Sequence, residues 1–115
     1  MRRASGQNVP PAEVFVLDHG RLELDLGAMR AHLGGQDLEL TATEFRVLAT
    51  LVRPPGRLRS REELRQMALG SETAAGDRTI DAHVKNIRRK LDARRSGASN
   101  LVRTVYGAGY RFQDE

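Results

Sequence analysis

The densest run of chemistry in this sequence lies between Arg78 and Arg95. It holds seven bases (Arg78, Lys85, Arg88, Arg89, Lys90, Arg94 and Arg95) against two acids, Asp81 and Asp92. That local excess is larger than the +4 net charge of the whole 115-residue chain, so the remainder is slightly acidic. A cationic excess gathered in one place is the electrostatic footprint of a polyanion-binding element. A solvated helix face would carry the same charge, so charge alone leaves both readings open.

Other chemistry is sparse. The absence of cysteine excludes disulfides, thiolate catalysis and thiolate metal sites. His19 and His32 have no carboxylate or second histidine at ligand spacing, so they read as turn and strand surface residues and no metal is expected. Asp81 and His83 project to different faces with no nucleophile at matching spacing, so nothing points to an enzyme or a cofactor. Gly107 and Gly109 read as turn residues, since no helix follows them to cradle a phosphate. No apolar run approaches the ~20 residues of a membrane span. The start, Met1-Arg2-Arg3-Ala4-Ser5-Gly6, lacks the apolar stretch of a signal peptide. These features fit a cytoplasmic protein.

The elements that must position the basic segment can be read from periodicity. Residues 1–12 are polar, contain Pro10-Pro11 and read as a linker; residues 13–115 read as one domain. Val14 to Leu40 reads as about four short antiparallel strands. Leu22, Leu24 and Leu26 alternate with acids, and Gly34-Gly35 suits a two-residue hairpin loop. Thr41-Ala42-Thr43-Glu44 is a capping box that opens a helix with Phe45, Leu48, Ala49 and Val52 on its apolar face, ended by Pro54-Pro55-Gly56. Ser60-Arg61-Glu62-Glu63 opens a second helix, with Leu64, Met67 and Ala68 as its stripe. The segment 70–77 is small and polar and reads as a loop. A glycine-tipped hairpin spans Leu101 to Phe112.

The third helix, about Arg78 to Arg94, divides cleanly at 100° per residue. Val84, Ile87 and Leu91 fall within about 40° of Ile80 and form the core stripe. Arg78, Ala82, Lys85, Asn86 and Arg89 lie near the opposite pole. Asp81 sits to the side, spaced to pair with Lys85. Arg88 also points sideways, placed either for an ion pair with Asp81 or Glu63 or for an external ligand. Two capped helices, a basic third helix and a hairpin make a winged helix-turn-helix of the α+β class, whose last helix enters the major groove while the wing reaches backbone or minor groove. Lys85 and Arg89 can reach guanine edges or phosphates, Asn86 can pair with adenine, and Ala82 can touch a thymine methyl.

Four motifs carry a resemblance to a known family: Leu40-Thr41-Ala42-Thr43-Glu44-Phe45, Ser60-Arg61-Glu62-Glu63-Leu64, Arg78-Thr79-Ile80-Asp81-Ala82-His83-Val84 with Ile87-Arg88-Arg89-Lys90-Leu91, and Thr104-Val105-Tyr106-Gly107-Ala108-Gly109-Tyr110-Arg111-Phe112. In order and spacing they resemble the OmpR/PhoB-type effector domain of two-component response regulators over roughly residues 14–113. The resemblance implies an N-terminal four-stranded antiparallel sheet, three helices and a C-terminal hairpin. It implies sequence-specific binding of double-stranded DNA for transcription regulation. By position it implies base contacts from Thr79, Ala82 and Asn86, and phosphate contacts from Arg61, Arg78, His83, Lys85, Thr104 and Tyr110. It also implies a preceding receiver domain in a phosphorelay, a monomer that assembles head-to-tail on direct-repeat half-sites, and contact with RNA polymerase through loop 70–77.

The sequence departs from the family pattern at three places. Leu69 stands where a tryptophan is common. Tyr106 stands at the wing position usually held by arginine, which would enter a narrow minor groove. Asn86 stands where arginine is frequent, which moves the expected preference from guanine toward adenine. The other reading of the same residues is a winged helix that contacts an acidic protein partner or binds nucleic acid without sequence preference.

Overall fold

The computed structural model describes residues 14–69 and 78–113. The segment read as a linker, residues 1–12, and the loop 70–77 lie outside the described residues.

Four strands come first: β1 (Val14–Leu17), β2 (Leu22–Asp25), β3 (Arg30–Leu33) and the two-residue β4 (Gln36–Asp37), paired antiparallel in chain order. The leucine alternation decides which way the sheet faces. Leu22 opposes Leu33 and Leu24 opposes Ala31, and all four are buried, while Glu23 between them is exposed. Gly34 and Gly35 form the β3–β4 loop with φ of 61° and 82°, the backbone that their residue type permits at no steric cost.

Helix α1 (Ala42–Leu51) starts at the expected capping box: Thr41 Oγ1 accepts from the Glu44 N–H at 3.1 Å and the Glu44 carboxylate accepts from the Thr41 N–H at 3.0 Å. Burial extends beyond the expected face to Val47 and Leu51, because α1 runs through the middle of the domain. Helix α2 (Arg61–Leu64) repeats the box with Ser60 and Glu63. It continues as a π-helical turn over Arg65–Leu69. That wider turn overturns one expectation. Leu64 and Ala68 are buried, but Met67 is 56% exposed, rotated out of the apolar stripe, and its sulfur accepts from an Arg59 Nη.

Helix α3 (Arg78–Arg94) is followed by a 3₁₀ turn (Ala98–Leu101) and the hairpin β5 (Val102–Val105) and β6 (Gly109–Phe112). Ile80, Val84, Ile87 and Leu91 are all buried to within 1% and pack in one cluster with Phe45, Leu48, Leu101 and Phe112. Among the described residues no helix is long and apolar enough to cross a membrane.

The hairpin is stitched to the body by backbone. Arg59, in the connection before α2, exchanges two hydrogen bonds with Tyr110, at 2.8 and 2.9 Å, and so serves as a short third strand beside β6. Gly109 is the residue that allows this approach. Its φ is 146°, and a Cβ there would sit 2.1 Å from the Arg59 carbonyl oxygen. Gly107, at the turn itself, has φ of 78° and open space around it.

Glu44 links the first cap to the third helix. Its buried carboxylate takes the Lys90 ammonium at 2.7 Å, and Lys90 also donates to the Glu39 carbonyl at 2.9 Å. Burial by itself would push the Glu44 carboxyl up. The Lys90 and Thr41 hydrogen bonds and the Lys90 charge outweigh it and hold the group below its ordinary 4.5.

Two outcomes follow from these contacts. Gly109→Ala should lower unfolding stability in urea by about 2–4 kcal/mol, because backbone strain and a backbone clash add; Gly107→Ala should cost about 1–2 kcal/mol from strain alone. Glu44→Gln should destabilise by about 1–3 kcal/mol at neutral pH. A depressed folded-state pKa contributes stability that is fully present above the unfolded value and is lost as pH falls through the folded one. The gap between wild type and Glu44→Gln in urea titrations should therefore close below about pH 4.5.

Candidate nucleic-acid interface

The buried stripe of α3 sets the direction of everything on its other side. Ala82, Lys85 and Arg89 are exposed and Asn86 is half-buried, as the 100° spacing predicts. Among the described residues Lys85 and Arg89 make no hydrogen bond or ion pair, so their cationic heads are available to an external partner. Arg78 and Thr79 form the first turn of α3, and the structure places only their backbone.

The other cations of the basic segment are committed to the protein itself. Arg88 donates to the Val102 carbonyl at 3.0 Å and to Thr104 Oγ1 at 2.6 Å, which ties α3 to the wing. Lys90 holds the α1 cap. Arg94 donates to the Asp37 carbonyl at 2.9 Å and lies 3.6 Å from the Glu39 carboxylate. Arg95 meets the buried Asp18 carboxylate at 2.8 Å. The concentration of charge seen in the sequence is thus mostly internal, and the outward positive field comes from fewer side chains than the composition suggests. Arg88 pairs with neither Asp81 nor Glu63; the wing reaches it first with a carbonyl and a hydroxyl.

Asp81 also finds a partner other than the expected Lys85. Arg61 Nε donates to Asp81 Oδ1 at 2.7 Å, and the Tyr110 hydroxyl donates to the same oxygen. Three elements converge here: the N-terminus of α2, the first turns of α3 and strand β6. Tertiary neighbours with better geometry displace the i,i+4 pairing, which is worth only a few tenths of a kcal/mol on an exposed helix. The guanidinium carbons of Arg61 and Arg88 each lie 5.6 Å from the centre of the Tyr110 ring. The Tyr110 hydrogen bond, then that of Arg61, keeps the Asp81 carboxyl below its ordinary range. Burial, then the hydrogen bond to Asp81, pushes the Tyr110 hydroxyl up. Tyr110 therefore remains a neutral donor, and its ring is buried.

The remaining candidates sit at the margins. His83 is half-buried and its Nδ1 has no hydrogen-bond partner among the described residues. It faces the Glu44 side of the helix, where a charge on it would act on that carboxylate. Thr104 is half-buried, its hydroxyl occupied by Arg88. Tyr106 stands at the wing tip, 92% exposed. The structure thus gathers Ala82, Lys85, Asn86 and Arg89 on one face, and joins Arg61, Tyr110 and Thr104 to that face through Asp81 and Arg88. Sequence reasoning passed over Arg103, which is exposed on β5 directly opposite Arg111. The signal was present: a hairpin centred on Gly107 puts these two arginines in register.

Known proteins share this arrangement. The family described as "Transcriptional regulatory protein, C terminal" matches residues 35–112. The transcriptional regulatory protein BaeR of Escherichia coli O6:H1 is 44% identical over 92 residues, covering 80% of this chain and 38% of BaeR. The chain spans less than half the length of the curated relatives it matches. Among solved structures, the DNA-binding domain of CpxR from E. coli is 38% identical with a TM-score of 0.73, covering 88% of this chain and 96% of that one. The RstA DNA-binding domain of Klebsiella pneumoniae, solved in complex with the RstA box, is 25% identical with a TM-score of 0.71, covering 87% of this chain and 96% of that one. Family match, element order and the packing of α3 agree: this chain belongs to the C-terminal winged helix-turn-helix domains of transcriptional regulatory proteins, of the OmpR/PhoB response-regulator type.

Proposed function

We propose that this chain reads double-stranded DNA by sequence, as the output domain of a two-component response regulator. The observation that carries the reading is the outward face of α3: exposed Ala82, Lys85 and Arg89 around half-buried Asn86, on a helix whose opposite face is locked in the core. Solved relatives described as DNA-binding domains, one of them on its DNA box, support it.

In this reading α3 lies in the major groove, the one groove where all four base pairs present different donors and acceptors. Thr79, Ala82 and Asn86 meet bases. Asn86 offers a donor and an acceptor to adenine, and Ala82 keeps the helix close and touches a thymine methyl. Lys85 and Arg89 reach guanine edges or phosphates. Arg61, Arg78, His83 and Thr104 meet the backbone, Tyr110 joins them by turning its one hydroxyl proton from Asp81 to a phosphate, and Tyr106 carries the wing tip toward the minor groove. The Asp81 and Arg88 contacts hold Arg61, Tyr110 and Thr104 in place before DNA arrives, so little ordering is left to do on binding.

The wider partners belong to the same proposal. A receiver domain precedes this one in a longer cytoplasmic protein and controls it through a phosphorelay. The domain alone is a monomer and assembles head-to-tail on direct-repeat half-sites, and RNA polymerase is a partner through the segment 70–77.

Two measurements test this. Titration of the chain with its selected duplex and with random duplex should give affinities that differ by ~10³ or more. Both should weaken steeply with salt, since several phosphates release counterions. Equal affinity for every duplex would sink sequence reading and leave a general polyanion binder. Selection from a random library with Asn86→Arg should move the preference at one position from adenine toward guanine, by about 1–3 kcal/mol. An unchanged preference would remove Asn86 from the bases.

A further inference from the structure

The wing holds a second basic feature that the α3 face does not use. Strands β5 and β6 set Arg103 directly against Arg111. Like charges facing each other across a hairpin repel. Among the described residues neither guanidinium makes an ion pair, and the Arg111 Nε is buried without a hydrogen-bond partner. A cavity of about 310 Å³ opens beside Arg103, between the 3₁₀ turn and β5. Arg88, Ser99, Asn100, Arg103, Thr104 and Tyr106 line it, with no acid among its lining residues. The acid closest in sequence to that turn, Asp92, is occupied by the Ser99 backbone N–H at 2.8 Å.

Arg88 and Arg103, both lining residues of the cavity, differ in what they can give. Arg88 is fixed by the Val102 carbonyl and the Thr104 hydroxyl, so it contributes charge in a set place. Arg103 is exposed and its donors are uncommitted among the described residues. A guanidinium fork matches two non-bridging oxygens of one phosphate, and the Ser99 hydroxyl and Asn100 amide add neutral donors.

We propose that this cavity is a further backbone-phosphate subsite, which takes a phosphodiester of the duplex lying on the wing side of the base pairs under α3. One wall, Arg88, belongs to α3, and another, Tyr106, is the wing tip. A DNA strand leaving the groove that α3 occupies and running toward the wing passes this seam. The inference rests on the DNA-reading proposal and adds Arg103, Ser99 and Asn100 to it.

The test uses the whole chain and the duplex it selects from a random library. That site is made in two lengths: ending at the last specified base pair, or extended by about half a helical turn at each end. On the long duplex Arg103→Ala should lower the slope of log K against log salt by about 1, a loss of about tenfold at 0.1 M relative to 1 M. On the short duplex it should bind as wild type does. Arg103→Lys should recover most of the slope, and the selected sequence should not change. Thermal melting should not fall for either variant, since Arg103 is exposed and Arg103→Ala also removes a like charge opposite Arg111.

Equal binding of wild type and Arg103→Ala on the long duplex, or equal losses on both lengths, would overturn the subsite and leave DNA reading intact. Inorganic phosphate bound by wild type and not by Arg103→Ala, without a length effect on DNA, would make this a free-anion site and overturn it too. A chain that selects no site would overturn the DNA-reading proposal, and the subsite with it.

Discussion

Burying Ile80, Val84, Ile87 and Leu91 fixes α3 about its own axis, and the rest of the interface is built on that constraint. Each of these side chains gains about 2 kcal/mol by leaving water. A roll of the helix by half a residue spacing would return part of that area to solvent on one side and press Lys85 or Arg89 toward the core on the other. Charged heads lose far more on burial than a methylene gains. The rotation of the helix is therefore stiff, and the direction in which Ala82, Asn86 and Arg89 project is a consequence of core packing. A reading element needs that property, because a hydrogen-bonding side chain misplaced by an ångström no longer meets its base.

The cations on the edges of α3 complete the constraint by a different route. Lys90, Arg94 and Arg95 reach α1, β4 and the Asp18 turn, and Arg88 reaches the wing. Half-exposed pairs of this kind add little stability singly. Their contribution is geometric: each ends on a different element, so together they fix where the helix ends and the hairpin lie. Arg88 and Asp81 have the largest share in this. Through them Thr104, Tyr110 and Arg61, which come from β5, β6 and α2, are held against the same helix. The wing position is secured a second time by the Arg59–Tyr110 backbone pair, which requires the bare Cα of Gly109.

Several of these features could be read in the residues. Both capping boxes, the Gly34-Gly35 hairpin, the leucine alternation of β2 and the apolar stripe of α3 depend on neighbours within a few positions, and local spacing encodes them directly. Met67 was not legible, because the π-helical turn that rotates it outward changes the periodicity on which the reading depends. The partners of Asp81 and Arg88 were not legible either. Spacing along one helix offers Lys85 to Asp81, yet the competing groups, Arg61 and Tyr110, lie 20 and 29 residues away in sequence.

The sequence by itself determined the family, the order of the elements and which face of α3 is buried, because motif spacing and helical periodicity are properties of neighbouring residues. Only the tertiary structure decided which cations remain available. Seven bases look alike on paper, and their roles separate only when carbonyls and carboxylates from distant strands come within hydrogen-bond reach. The same folding places Arg103 against Arg111 and opens a cavity beside them, a juxtaposition that hairpin register creates and composition does not express.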